Sequence, residues 1–163
     1  MNKQASGIVV GVDATPASQA ALVFALQEAA RRDSVVEVVT TWTYEGPGAE
    51  LLGPESIGEA RERAERIQDE AISDALTTVG APPLLSRTVV QGATGPTLVR
   101  AAETADYLVV GTAHKSLAKR AVLGSVSHYC VVHSLVPVVV VPPGPDSPTG
   151  WRQRHSRDEL SRA

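Results

Sequence analysis

Apolar residues fall into short unbroken runs, separated by longer segments in which they recur every three or four positions. The first run, residues 8–12 ("IVVGV"), is rich in β-branched side chains and has no alternating polar face. Runs of that kind suit strands buried on both faces, as in parallel sheets. Asp13 ends the run, and Thr15-Pro16 follows as N-cap and first helical residue. From there to Arg32 the chain is Ala/Leu-rich, with Ala21, Phe24, Ala25 and Ala29 at helical spacing.

The alternation then repeats. Residues 35–42 ("VVEVVTTW") read as a second strand, and 43–54, with Gly46, Pro47, Gly48, Gly53 and Pro54, as a loop. A long amphipathic helix is predicted over 55–79. Ile57, Ala60, Ala64, Ile67, Ala71 and Ala75 lie on its apolar face, and Gly80 is placed to end it at C′. A third strand covers 84–90, and 92–96 opens a third helix that runs through Thr104. Residues 106–111 ("DYLVVG") form a fourth strand, 125–134 a fourth helix, and the run from Pro137 to Val141 ("PVVVV") a fifth strand. The order βαβαβαβαβ predicts a doubly wound α/β domain with a parallel sheet and right-handed crossovers. The domain is predicted over residues 1–141. Residues 142–163 ("PPGPDSPTG" and a polar remainder) read as a disordered tail, with a segment docking through Trp151 as the alternative.

Composition narrows this picture only at its edges. Of the 163 residues, 43% are hydrophobic and 4% aromatic, so the core is built from Val, Leu, Ile and Ala. The net charge of −3 does not fit a general nucleic-acid binder, whose footprint is basic. A single cysteine, Cys130, has no intrachain partner, in keeping with a reducing compartment. No run is long enough to span a membrane, and residues 1–7, with no long apolar run and no small-residue cleavage site, lead us to expect no secretory leader. A cytoplasmic protein is expected.

Candidate chemistry concentrates at the carboxyl ends of the strands, where open α/β sheets bind ligands. The residues placed there are Asp13, Thr41 or Trp42, Gly111, and the loop "GTAHKSLAKRAVLGSVSHYC" (111–130). Asp13 either caps the first helix with Thr15 or contacts a ligand's ribose hydroxyls or metal. Neither G-x-x-x-x-G-K-[ST] nor G-x-G-x-x-G occurs. Gly124-Ser125-Val126-Ser127 stands at a predicted helix start, whose free N–H groups and dipole favour anions. The same tetrad also suits an ordinary cap. His133 lies where it favours a helix C-terminus, Cys130 reads as a core thiol, and no Cys/His spacing resembles a zinc site.

The layout resembles the universal stress protein family over about 135 residues. The resemblance is carried by "IVVGVD", Gly92, "DYLVVG", "LGSVSHYCVVHS" and "VPVVVVP". It implies a five-stranded sheet of order 3-2-1-4-5 with helices on both faces, the adenine nucleotide alpha hydrolase-like fold. It also implies a homodimer, pairing through Pro137 to Val141. Nucleotide-binding members show glycine, two residues, glycine, nine residues, then glycine with Ser or Thr. Gly111 and Gly124-Ser125 match the ends of that pattern, and His114 replaces the middle glycine. By resemblance, Gly11, Val12, Asp13 and Thr41 hold adenosine, Val110 and Gly111 back it, and Gly124, Ser125, Val126 and Ser127 hold phosphates. The implied cofactor is ATP, with magnesium as its accompanying ion. Its binding is regulatory, modulating interactions in a stress response.

His114 either closes the cradle, or joins Lys115, Lys119 and Arg120 in neutralising the phosphates. If it closes the cradle, a nucleotide-free interaction module acting through its dimer or tail surfaces remains. No base is evident to activate water, so any hydrolysis is expected to be slow and incidental. A hydrolase built on Ser125 or Ser127 with His128 lacks an orienting third group.

Overall fold

A computed structural model describes residues 7–43, 54–112 and 123–143 of the chain. His114, Lys115, Lys119, Arg120, most of the 43–54 loop and the tail from 144 onward lie outside the described residues. The elements are β1 (Gly7–Gly11), α1 (Pro16–Arg32), β2 (Val35–Trp42), α2 (Pro54–Thr78), β3 (Leu85–Gln91), α3 (Thr94–Ala101), β4 (Tyr107–Gly111), α4 (Ser125–His133) and β5 (Val138–Val141). All four strand pairings are parallel, and the sheet order is β3-β2-β1-β4-β5, as the resemblance implies.

Each central strand feeds two cores by alternation. Ile8, Val10, Val36, Val38 and Val109 face α1 and α2, where they meet Leu22, Leu26, Ala29, Ala71 and Ala75. Val9, Val39, Leu108 and Val110 face the opposite layer, where they meet Leu98 of α3 and Cys130 of α4. With both faces covered, the strands have no polar side, which explains their unbroken apolar runs. Small alanines on α1 and α2 let those helices lie close to the sheet.

Helix boundaries follow local chemistry. At the start of α1, the Thr15 hydroxyl accepts the Ser18 N–H at 3.2 Å, and Pro16 occupies the first turn. The helix ends at Arg32, as the sequence suggests. Asp33 takes the left-handed conformation (φ 53°, ψ 47°), and its N–H donates to the Ala29 carbonyl. Among the described residues the only other positive φ belongs to Gly92, so Gly80 makes no left-handed cap beyond α2. The third helix stops at Ala101 rather than Thr104, because the Glu103 and Ala105 N–H groups turn back to Arg100 and Ala102.

The apolar face of α2 also departs from the periodic reading. Ile57 is exposed, whereas Gln68 is completely buried. Its amide donates to the carbonyls of Val38 (3.1 Å) and Thr88 (3.0 Å) and to the Thr40 hydroxyl (3.2 Å). Its oxygen accepts from Arg87, which also pairs with Asp69. A buried amide costs little when so fully bonded, and here it fastens α2 to the β2–β3 pair.

The strained cap supplies a test. Asp33 is exposed, and a left-handed non-glycine residue costs about 1 kcal/mol or more. Asp33→Gly is expected to raise unfolding free energy by roughly 0.5–1 kcal/mol in urea denaturation, whereas Asp33→Ala lowers it.

Candidate functional site

The winding direction reverses between β1 and β4, since α1 and α2 cover one face and α3 and α4 the other. The strand ends on either side of this switch point cannot be covered by the same crossover, and a crevice opens there. The cleft has a volume of about 150 Å3. That is below the ~300–1,000 Å3 of pockets enclosing a whole drug-sized ligand, so a ligand of that size would extend beyond these walls. Gly11, Val12, Asp13, Thr41, Val110, Gly111 and Val126 all line it, together with Thr15, Ser18, Thr94 and Leu98.

One wall is the entry to α1. Asp13 Oδ1 accepts from the Thr15 N–H (2.8 Å) and hydroxyl (2.6 Å). The Ser18 hydroxyl donates to the Asp13 carbonyl (2.7 Å), lies within bonding distance of the Thr15 carbonyl (3.0 Å), and accepts the Asp13 N–H (3.2 Å). The capping role of Asp13 is therefore present, and it leaves the exposed carboxylate at the cleft. Asp13 is the one charged group among the described lining residues. It suits ligand hydroxyl donors and repels phosphate, so an anionic group belongs elsewhere in the site.

The floor depends on two backbone constraints. Val12 donates its N–H to the Val39 carbonyl (2.9 Å), while its carbonyl accepts from the buried Thr40 hydroxyl (3.0 Å). At Gly111, a Cβ would lie 2.5 Å from the Ala17 carbonyl carbon and 2.7 Å from the Ser18 nitrogen. Only glycine lets the end of β4 lie on the first turn of α1. Across the cleft, the Thr41 and Thr94 hydroxyls meet at 2.7 Å.

Beside this cleft begins α4. Gly124 is its N-cap, with extended backbone (φ −76°, ψ 170°) and no side chain to bond the first N–H groups. His128 makes the first intrahelical bond, to the Gly124 carbonyl at 2.8 Å. The N–H groups of Ser125, Val126 and Ser127 precede it and have no intrahelical acceptor. Ser125 is exposed. Ser127 is only 1% exposed, and its hydroxyl donates to the Gly124 carbonyl at 3.1 Å. The expected pair of serine hydroxyl donors thus reduces to Ser125, with Ser127 offering its backbone. Gly124, Ser125 and Ser127 do not line the described cleft; Val126 does.

Sequence reasoning missed Thr94, Ser18 and Leu98. Each sits in a helix whose apolar or capping pattern explains it locally, and only the crossover brings it to the crevice. Elsewhere, His133 stacks on Tyr129 (centroids 4.0 Å apart) and bonds the Tyr129 carbonyl, a local helix-end arrangement. Among the described residues no three His, Cys, Asp or Glu side chains cluster as metal ligands, and no helix is long and apolar enough to cross a membrane.

Comparison with known proteins agrees with this fold. A family model described as "Universal stress protein family" matches residues 6–142. The universal stress protein Rv2623 of Mycobacterium tuberculosis is 30% identical over 144 residues, covering 83% of this chain and 47% of its own. The chain thus spans about half the length of the curated relatives it matches. Among solved structures, UspA from Lactobacillus plantarum superimposes with a TM-score of 0.68 at 23% identity, covering 86% of this chain and 99% of its own. A universal stress protein in complex with cAMP gives 0.64 at 25%, covering 85% and 98%.

Cys130, in the second half of α4, is fully buried, and burial pushes its thiol up to about 11. The unfolded chain releases this proton first, so the group's contribution to stability is lost as pH rises from about 9 toward 11. At pH 8 a disulfide reagent is expected to leave the native thiol intact and to titrate one thiol per chain in urea. Rapid reaction of the native protein would contradict this burial.

Proposed function

Because the chain belongs to the universal stress protein family, we propose that it binds an adenine nucleotide, ATP in particular, as a regulatory ligand. The observation that carries this reading is the start of α4, where the N-cap glycine has no side chain to bond the first N–H groups, beside a cleft whose only charged described side chain is Asp13. The two ends of a nucleotide differ in the same way. Its phosphates suit free N–H groups at the positive end of a helix dipole. Its ribose hydroxyls suit a carboxylate, and its base suits the apolar walls of Val12, Leu98, Val110 and Val126. The likeness to a protein solved with cAMP supports the same ligand class. Magnesium enters with the phosphates, and occupancy changes what the surface offers to partners.

The reading includes a homodimer through β5, from Pro137 to Val141. β5 bonds only to β4 within the described sheet, and Val138 to Val141 pack into both cores. That leaves an apolar edge strand with unpaired backbone groups, a hazard that pairing with a second copy removes. Val132 (60% exposed) and Leu135 (86%), in the segment just before β5, add apolar surface.

Two measurements test this. Protein purified without added nucleotide, then denatured, is expected to release adenine nucleotide, and ATP with magnesium is expected to bind by calorimetry. Gly124→Asp places a carboxylate where it caps α4 itself, so stability holds or rises by a few tenths of a kcal/mol. The same carboxylate competes with phosphate, and ATP affinity should fall by about tenfold or more while adenosine affinity barely changes. Absence of nucleotide in both assays would sink the reading. For the dimer, sedimentation is expected to give a two-chain particle at micromolar concentration; a single-chain particle throughout would rule it out.

A further inference from the structure

One polar feature of the cleft remains after phosphate and ribose are assigned. Thr41, near the end of β2, and Thr94, in the first turn of α3, both line the cleft, with their hydroxyl oxygens 2.7 Å apart. Strand order separates the Thr41 end of this pair from the anion-favouring helix start. Thr41 lies on the β2 side of β1, whereas α4 follows β4 and leads to β5. A ligand with its anionic end at α4, crossing the end of β1, brings its opposite end to the two hydroxyls. Of the other side-chain oxygens in the described lining, Thr15 Oγ1 bonds Asp13 Oδ1 and the Ser18 hydroxyl bonds the Asp13 and Thr15 backbone at the entry to α1.

We propose that Thr41 and Thr94 form a reversible hydroxyl pair that reads position 6 of a purine base and accepts both 6-amino and 6-oxo purines. This rests on the nucleotide reading above and extends it to the base. In such a pair one hydroxyl donates to the other, which leaves one O–H facing the ligand. Rotating both hydroxyls exchanges which residue carries that free donor. A 6-amino group donates where a 6-oxo group accepts, so the two bases present opposite polarity at that edge. A reader of fixed polarity leaves one of them with an unpaired buried group, and rejection of that kind reaches about 10⁴–10⁵-fold. A pair that reverses meets either edge.

The scaffold holds the two oxygens together while leaving the hydroxyls free to rotate. Thr41 sits in the β2–β3 ladder opposite Val90. Thr94 is fixed because its neighbour Gly95 lies against Tyr129 of α4, where a Cβ would come within 2.7 Å of the ring. Gly92 (φ 153°) supplies the turn that delivers Thr94 from β3.

Calorimetry of the full chain with AMP and with IMP, the 6-oxo counterpart, tests the proposal. The wild-type dissociation constants are expected to agree within about tenfold. Thr94→Val, nearly isosteric, removes one hydroxyl and should weaken both ligands by a similar factor. Thr94→Asp is acceptor-only and suits a helix start, so it should weaken IMP at least about tenfold more than AMP. Thermal unfolding without ligand checks that each variant folds, and Thr41→Val repeats the comparison from the other partner. If AMP binds while IMP is weaker by more than about a hundredfold, the reversible pair is overturned and the nucleotide reading stands. Unchanged affinity of Thr94→Val and Thr41→Val for both ligands overturns it equally. Failure of the wild type to bind either nucleotide overturns both proposals.

Discussion

The pairing of β1 with β4 is the constraint on which the molecule depends. These strands are adjacent in the sheet but separated in sequence by two other strands and three helices. Joining them requires the chain to leave β3, cross the sheet on the face opposite α1 and α2, and return beside β1. That crossing creates two cores, and it leaves the ends of β1 and β4 without a common cover. Gly111 makes the closure possible at that point, since its missing side chain is where the backbone of Ala17 and Ser18 passes. A larger residue there would push β4 away from α1 and alter the cleft along with the packing.

Polar groups near the crevice behave as part of that framework. The Asp13–Thr15–Ser18 set fastens the first turn of α1, and the Gln68–Thr40–Val12 chain fastens the opposite flank. Each buried member has partners, so the local geometry is held by bonds that a ligand need not supply. What stays open is the carboxylate of Asp13, the Thr41–Thr94 pair and the start of α4. A ligand bound in the crevice would meet groups that the fold leaves incompletely used.

The strands were legible because a parallel sheet buried on both faces writes itself as unbroken β-branched runs. Pro16 and Thr15 marked the start of α1 because caps act over a few residues. The same local logic failed at Gln68, where a polar residue occupies a buried position. Helical periodicity counts apolar residues and cannot see three carbonyl and hydroxyl acceptors supplied by other strands. The end of α1 at Arg32 was legible, but not that Asp33 carries its left-handed cap.

Composition, periodicity and turn chemistry by themselves determined the element order, a parallel α/β sheet and the residues around Asp13, Gly111 and Gly124. These are properties of short range, set by side-chain period and by backbone groups within a turn or two. The family motif added the strand order. Tertiary structure alone decided that Thr94 meets Thr41 across 53 positions of chain, that Ser127 turns its hydroxyl inward, and that Gly111 serves helix packing. Each of those depends on where a crossover sets one element against another, and no window along the chain contains both partners.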